Sequence, residues 1–146
     1  MLQRNKQGFT IVELLIVIVV IGILATIVIV AYNGTQSKAR DTKRTQDVKS
    51  IQKIIEMYRI NYGEYPLHSG GSVNVGYNMS SISSLLVPEF AASLPIDPSP
   101  PIVYQYVRGP AANNSYAIRV QYESKDDCKM GVKSASAGWW SLPDCS

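Results

Sequence analysis

A single carboxylate at the start of a long apolar run constrains this chain more than any other feature. The run extends from Phe9 to Tyr32, and Glu13 is its only acidic or basic side chain. A membrane-spanning helix needs about 20 consecutive apolar residues, so the run is long enough to be one. Because an unpaired charge inside a bilayer costs roughly 3 kcal/mol on insertion scales, we expect Glu13 to have a specific partner and a specific function.

The residues before the run argue against a secretory signal peptide. Residues 1–8 form a short polar leader that contains Arg4 and Lys6, and Gly8 directly precedes the run. A secretory signal has its small-residue cleavage site after the apolar stretch rather than before it. Since no such site follows Ala31 before a helical pattern resumes, we expect the apolar run to be retained.

The residues around Gly8 form a known motif. Gln7-Gly8-Phe9-Thr10-Ile11-Val12-Glu13, with the apolar helix behind it, resembles the processing signal of type IV prepilins and related pseudopilins. The resemblance implies that a prepilin peptidase cuts between Gly8 and Phe9 and that the new amino terminus of Phe9 is N-methylated. It also implies that Glu13 neutralises the terminal amine of a neighbouring subunit during assembly. The alternative is a plain signal anchor whose Glu13 reaches toward the lipid headgroups.

Length and charge favour one membrane-tethered domain. The chain has 146 residues and a formal charge of +3, and loss of the two basic residues Arg4 and Lys6 with the leader lowers this to +1. A near-neutral subunit suits dense packing in a polymer, and it gives little support to nucleic-acid binding driven by overall charge. The distribution of basic residues around the run favours an external amino terminus. The resemblance implies the opposite orientation, with the amino terminus cytoplasmic and the bulk of the chain outside.

The helix is expected to continue beyond the apolar run. An amphipathic periodicity of three and four residues is formed by Val48, Ile51, Ile55, Tyr58 and Tyr62. No proline occurs before Pro66, so the pattern predicts one helix from about Phe9 to about Asn61. Its first half, residues 9–32, is the assembly and membrane-spanning half, and its second half, residues 33–62, is amphipathic. We interpret the charged Asp41-Thr42-Lys43-Arg44 as a solvated helix face, with anionic headgroups or acidic groups of neighbouring subunits as alternative partners.

Residues 63–146 are expected to form a globular head. A short helix is predicted from Ser81 to Val87, with Ser80 or Ser81 as its cap. Prolines make Leu94–Pro101 an extended connector, because each proline fixes its own backbone angle and biases the preceding residue away from helix.

Two strands are predicted in the second part of the head. Tyr116, Ile118, Val120 and Tyr122 alternate with other residues at the period of a half-buried strand that runs to Glu123. Ile102–Val107 can pair with it across the turn at Gly109–Asn114, and the apolar face of this hairpin is expected to pack on the helical stripe. A third strand is predicted near Gly138–Leu142, where we assign Trp139 and Trp140 to the core and to a subunit contact. The predicted fold is therefore α+β and pilin-like, a long amino-terminal helix packed against a small antiparallel sheet.

Cys128 and Cys145 are the only cysteines. In the external location that the resemblance implies, an even pair indicates a disulfide. The closed segment also resembles the carboxy-terminal disulfide loop of many pilins. Two cysteines without zinc-type spacing do not indicate a zinc site.

The sequence contains no catalytic or cofactor motif. His68, the sole histidine, lies in a Gly/Ser-rich loop without a nucleophile motif and is interpreted as a solvated loop residue. No phosphate-binding glycine motif is present. Asp126, Asp127 and Asp144 could form a calcium site of the kind found in some pseudopilins, but a solvated acidic loop is the preferred interpretation. We therefore expect no enzymatic activity, no cofactor and no metal.

These features predict a structural subunit of a type IV pilus that polymerises into a surface filament for adhesion, motility or DNA uptake. The resemblance implies other copies of the chain, a prepilin peptidase, and a pilus assembly platform with its ATPase as partners. It also implies a single pass through the cytoplasmic membrane before assembly and an extracellular pilus afterwards.

Two alternatives to the pilus subunit remain. Tyr62-Gly63-Glu64-Tyr65-Pro66 and Leu94-Pro95-Ile96-Asp97-Pro98 resemble stretches of major pseudopilins from type II secretion systems and of some Gram-positive-type pilins. The first alternative is therefore a major pseudopilin of a type II secretion or competence system. The second belongs to a different class, a monomeric membrane-anchored ligand-binding domain.

Overall fold

The structure, a computed structural model, describes residues 8–132 and 141–145, without the side chains of residues 28–33 and 113. The predicted leader therefore lies outside the described residues except for Gly8. The chain divides into two compact units, residues 1–36 and 37–146. One helix, α1, spans Ile11–Tyr62 and contributes to both units. The predicted long helix is thus confirmed, and neither Gly22 nor Gly34 interrupts it.

The first unit exposes an apolar helix surface in every direction. Between Phe9 and Ile27 the large apolar side chains are exposed by 47% at Val20 to 85% at Phe9. Within the part of the chain that the structure describes, no helix is long and apolar enough to cross a membrane.

The second unit contains a four-stranded antiparallel sheet. Its strands are β1 (Tyr77–Asn78), β2 (Gln105–Arg108), β3 (Tyr116–Val120) and β4 (Cys128–Val132), in the order β1-β2-β3-β4. In the register, Ile118 of β3 lies opposite Tyr106 of β2 and Met130 of β4. The predicted α+β class and the predicted hairpin are confirmed, whereas β1 and β4 were not predicted.

Both observed strands of the hairpin are shorter than the sequence pattern predicted. The first strand starts at Gln105 rather than Ile102, because Ile102 is held in a turn by a 3.1 Å bond from its N–H to the Ser99 carbonyl. The second strand ends at Val120, and the chain then turns so that the N–H groups of Glu123 and Ser124 reach α1.

The predicted short helix is present, but it begins earlier than predicted and consists of two kinds of helical turn. A 3₁₀ turn, Met79–Ile82, is followed by the single turn α2, Ser83–Leu86. The predicted serine cap is wrong, because neither helix start has a side-chain cap and the Ser81 hydroxyl instead donates to the Asn78 carbonyl at 2.7 Å.

The main core lies between α1 and one face of the sheet. Its fully buried side chains include Val48, Ile51, Ile55, Ile118 and Val120, and the rings of Tyr106 and Tyr116, which are also fully buried, lie among them. Full burial of one such side chain contributes about 1.5–3 kcal/mol, so the predicted packing of the hairpin on the helical stripe is the main stabilising contact of the head. The other face of the sheet is covered as well, because Val107 and Ala117 pack against Leu142.

The predicted third strand is only partly described. Residues 138–140, and with them Trp139 and Trp140, lie outside the described residues. Ser141 and Leu142 form a turn and a bend rather than a strand. The outer strand of the sheet on this side is β4, which pairs with β3 along its full length.

Candidate assembly site

The amino-terminal end of α1 is capped by side chains of its own first turn. Thr10 precedes the first helical residue, Ile11, and its N–H and hydroxyl donate to Glu13 Oε2 at 2.8 and 2.7 Å. The N–H of Glu13 donates in return to Thr10 Oγ1 at 3.2 Å. This reciprocal pattern is a capping box, which satisfies two backbone donors that a helix start otherwise leaves open. The Thr-x-x-Glu spacing is visible in the sequence, but our sequence analysis considered only the acid.

The capping box fixes where the Glu13 carboxylate lies. Because it accepts the N–H of Thr10, it is held beside the backbone that leads to Phe9. Phe9 itself is 85% exposed. A side chain added at Gly8 would meet nothing within 4 Å, so the described fold gives no steric reason for glycine at this position.

A buried charge cluster lies at the start of the second unit. Arg44 is fully buried, and its Nε and Nη2 atoms donate to the two carboxylate oxygens of Asp97 at 2.8 and 2.9 Å. Its Nη1 donates to Asp41 at 2.7 Å and its Nη2 also donates to Glu123 at 2.8 Å. Arg40 Nε donates to the same Glu123 carboxylate at 2.8 Å. We call these five residues the Arg44 cluster.

The Arg44 cluster joins three segments of the second unit. Asp97 belongs to the proline-rich connector, and Glu123 belongs to the loop between β3 and β4. Asp41 accepts the N–H groups of Glu123 at 3.0 Å and Ser124 at 2.9 Å, and the Ser124 hydroxyl at 2.6 Å. The cluster therefore fastens the connector and the β3–β4 loop to α1.

The interpretation of Asp41-Thr42-Lys43-Arg44 as a solvated face is therefore wrong for two of the four residues. Asp41 and Arg44 are three residues apart on the side of α1 that faces the head, and they are 5% and 0% exposed. Thr42 and Lys43 remain exposed, and Lys43 pairs with Asp47 one turn away at 3.0 Å.

The hydrogen bonds of the cluster favour its ionised state. Bonds to Asp97 raise the pKa of the Arg44 guanidinium. Bonds from Arg40 and Arg44 lower the pKa of Glu123 to about 2. Burial alone raises the pKa of Asp41, but bonds from the Ser124 hydroxyl and from the Glu123 and Ser124 backbone outweigh that effect and lower it. Arg44, Glu123 and Asp41 are therefore charged at neutral pH.

The predicted disulfide is present between Cys128 and Cys145. It holds the carboxy-terminal segment along β4, where the Lys129 N–H donates to the Pro143 carbonyl at 2.9 Å. The Cys145 N–H donates to the Lys129 carbonyl at 2.9 Å, and Lys129 and Asp144 form a parallel bridge. This segment covers part of the outer edge of the sheet.

The remaining candidate residues do not form one site. His68 is half-buried rather than solvated, because its Nδ1 lies 3.1 Å from the Ser81 carbonyl oxygen and its ring lies against Tyr77. Asp127 pairs with Arg119 at 2.8 Å. Among the described residues, no group of three or more histidine, cysteine or carboxylate side chains could hold a metal ion.

Part of the chain is similar to known proteins. The prokaryotic N-terminal methylation motif matches residues 3–29. The type II secretion system core protein G of Aeromonas hydrophila is 34% identical over 71 residues, which are 49% of this chain and 50% of that protein. The type IV wide pilus major component PilA4 of Thermus thermophilus is 37% identical over 74 residues, which are 51% of this chain and 56% of that protein.

The chain thus spans about half the length of the curated relatives it matches. No solved structure matches it at a significant level. The chain carries the prokaryotic N-terminal methylation motif and is similar, over about half of its length, to type II secretion system core protein G and to the type IV wide pilus major component PilA4.

Proposed function

We propose that this chain is a structural, non-enzymatic subunit of a type IV pilus. The observation that carries the proposal is the helix start, where an apolar surface exposed on all sides carries one acid beside residue 9. An apolar surface of this extent requires lipid or other apolar surfaces around it. A bilayer supplies them for the single subunit, and the helices of other subunits supply them in a filament.

In this proposal the subunit passes through two states. Before assembly it is anchored in the cytoplasmic membrane by residues 9–32, with its amino terminus inside. A prepilin peptidase removes residues 1–8 and methylates the amine of Phe9. An assembly platform and its ATPase then transfer the subunit into an extracellular filament, with residues 63–146 on the outside.

Glu13 supplies the specificity of helix packing in this proposal. Cleavage creates a cationic amine at Phe9, and a charge of that kind in an apolar helix bundle is costly unless an opposite charge faces it. Attraction between two charges is far stronger in such a low-dielectric environment than in water. The carboxylate of Glu13 on one subunit therefore pairs with the Phe9 amine of another and fixes the offset between their helices.

A second candidate function is that of a major pseudopilin. It is supported by the similarity to type II secretion core protein G over about half of the chain. The disulfide-bonded carboxy-terminal segment is the feature that leads us to prefer the pilus subunit. A long surface filament built from this chain supports the first candidate, whereas a short rod confined to the cell envelope supports the second.

The experiment that tests the proposed function separates charge from capping. Glu13→Ala removes the carboxylate, and Thr10→Ala removes the hydroxyl of the capping box but keeps the carboxylate. Loss of a helix cap costs about 0.5–2 kcal/mol. We expect sheared filaments to disappear in Glu13→Ala and to persist at reduced yield in Thr10→Ala, with both proteins processed normally. Normal filament yield in Glu13→Ala contradicts the proposal.

A further inference from the structure

Strand β4 has one edge that does not face β3. It is the last strand in the order β1-β2-β3-β4, so its other edge lies at the end of the sheet. The N–H and the carbonyl of Lys129 point to this outer edge, because both bond to the carboxy-terminal segment, residues 141–145. Backbone groups alternate in direction along a strand, so those of Gly131 point outward as well. An edge with outward N–H and carbonyl groups is a template for pairing with another chain.

The carboxy-terminal segment covers this edge with few contacts. Among the described residues, two backbone bonds of 2.9 Å join the segment to β4, from the Lys129 N–H to the Pro143 carbonyl and from the Cys145 N–H to the Lys129 carbonyl. Leu142 adds packing on the outer face of the sheet. The disulfide attaches Cys145 to Cys128, the residue directly before Lys129.

The disulfide is the main restraint on the carboxy-terminal segment. Its two cysteines are separated by 17 positions in the sequence. In the chain-entropy model, a cross-link that closes a loop of this size disfavours release of the segment by roughly a hundredfold. The two backbone bonds contribute less, because the same groups bond to water when the segment is released. Without the disulfide, a much larger fraction of molecules therefore exposes the outer edge of β4.

We propose that the carboxy-terminal segment prevents β4 from pairing with β4 of a second copy of this chain. Two β4 edges can pair in antiparallel fashion around a two-fold axis at Met130. In this register Lys129 of each copy lies opposite Gly131 of the other, so that their outward N–H and carbonyl groups bond to each other. The two lysines are then not directly opposite, a position in which like charges destabilise a sheet.

The blocked contact leads to a closed assembly. It joins the same surface of both copies, so it is isologous and is complete after two copies. In the proposed function, a dimer of this kind withdraws subunits from filament growth, and the carboxy-terminal segment keeps them available. The pairing itself is a property of single subunits, and it does not depend on the proposed function.

Removal of the disulfide tests the proposal. The full-length double variant Cys128→Ser with Cys145→Ser is purified in detergent, and its dimerisation is measured by sedimentation. We expect a monomeric wild type and a double variant whose dimer dissociation constant is lower by about tenfold or more. A folded but monomeric double variant overturns the proposal. Loss of the thermal unfolding transition also overturns it, because the proposal requires that β4 stay paired with β3 when the segment is released.

A matched pair of substitutions at Lys129 tests whether the outer edge makes the contact. The Lys129 N–H donates to Pro143 and not to β3, so Lys129→Pro leaves the β3–β4 bonds in place. Proline is tolerated where the N–H of an edge strand faces outward. Added to the double variant, Lys129→Pro is expected to restore the monomer, whereas Lys129→Ala keeps the N–H and is expected to keep the dimer. Equal dimerisation of both would show that the copies associate through another surface, and the proposal would be wrong.

Cross-linking at Met130 measures the register. Across the proposed axis the two Met130 residues form a non-hydrogen-bonded antiparallel pair, whose Cα atoms lie about 4.5 Å apart, within the span of a disulfide. In the double-variant background, we expect Met130→Cys to give a cross-linked dimer under a mild oxidant and Val132→Cys to give none. Cross-links from Val132→Cys alone would show another register and overturn the proposed contact. These measurements use no filaments, so their failure leaves the proposed function standing.

Discussion

At the scale of single residues, Arg44 is the side chain on which the head most depends. It is fully buried, and three carboxylates from three segments surround its guanidinium. A buried ion pair adds little net stability by itself, but removal of one partner leaves the others buried and uncompensated. The adjacent Lys43 side chain is about half exposed and pairs with one carboxylate, that of Asp47, so loss of Arg44 and loss of Lys43 should have very different effects on stability.

Alanine substitutions at Arg44 and Lys43 measure how much each side chain contributes to the stability of the head. We expect Arg44→Ala to lower the free energy of unfolding of the head by about 3–5 kcal/mol, because Asp41, Asp97 and Glu123 lose their shared counter-charge. Lys43→Ala is the matched control and should cost about 1 kcal/mol or less. Denaturant titration of the full chain in detergent gives both values, and equal losses would contradict the role of Arg44 as the shared counter-charge of the three carboxylates.

The Arg44 cluster also predicts a dependence of stability on acid. The pKa of Glu123 is 4.5 in its ordinary state and about 2 in the folded chain, because Arg40 and Arg44 favour its carboxylate. Its contribution to stability is therefore complete above pH 4.5 and is lost as the pH falls from 4.5 toward about 2. Asp41, whose pKa is also lowered, adds to the loss. Melting temperatures across this range should fall less steeply in Glu123→Gln than in the wild type; identical slopes would contradict the assignment.

The two residue-scale sites differ in how far sequence could predict them. Thr10 and Glu13 are three residues apart, so the capping box follows from a local pattern. Arg44 is 53 residues from Asp97 and 79 from Glu123, and no local pattern reports such pairs. A buried arginine was therefore predicted as part of a solvated face.

At the scale of secondary structure elements, the spacing of apolar residues predicted the helix and the strand in which buried residues recur at a regular interval. Helix α1 and strand β3 show spacings of 3.6 and 2 residues because one face of each lies on the common core. Strand β1 has only two residues, Tyr77–Asn78, and β4, Cys-Lys-Met-Gly-Val, alternates over only five residues and contains a glycine, which weakens the sequence signal of a strand. These edge strands exist through pairing with β2 and β3, which the local sequence does not encode.

Two isoleucines of α1 test the orientation of the helix. Ile55 is fully buried against the sheet, whereas Ile60, five residues later, is 76% exposed. Ile55→Ala should lower the free energy of unfolding by about 2–5 kcal/mol, because it leaves a cavity in the core. Ile60→Ala should change it by no more than about 0.5 kcal/mol. Denaturant titration of both variants in detergent should reproduce this contrast, and comparable losses would place the wrong side of α1 against the sheet.

The disulfide predicts a result at the same scale. Cys145→Ser releases the segment that pairs with Lys129 along the edge of β4, and we expect the head to lose about 2–5 kcal/mol. Because both cysteines serve one bond, Cys128→Ser should cost a similar amount, and the double variant should cost little more than either single one. Additive losses in denaturant titrations would show that the two sulfur atoms act separately.

At the scale of the whole molecule, the two units have different requirements. The second unit, residues 37–146, contains its own hydrophobic core and the buried Arg44 cluster. The first unit exposes an apolar surface that, in the proposed function, a bilayer covers before assembly and other subunits cover afterwards. A membrane-anchored subunit that moves into a filament meets both requirements with one chain.

The amino terminus of the chain in its assembled form gives the most direct test of this account. Filaments sheared from cells and purified without detergent are analysed by mass spectrometry of the intact main protein and of its amino-terminal peptide. We predict that the main protein is this chain, that it begins at Phe9, and that its amine carries one methyl group. A chain that retains residues 1–8 and is absent from every filament would contradict the account.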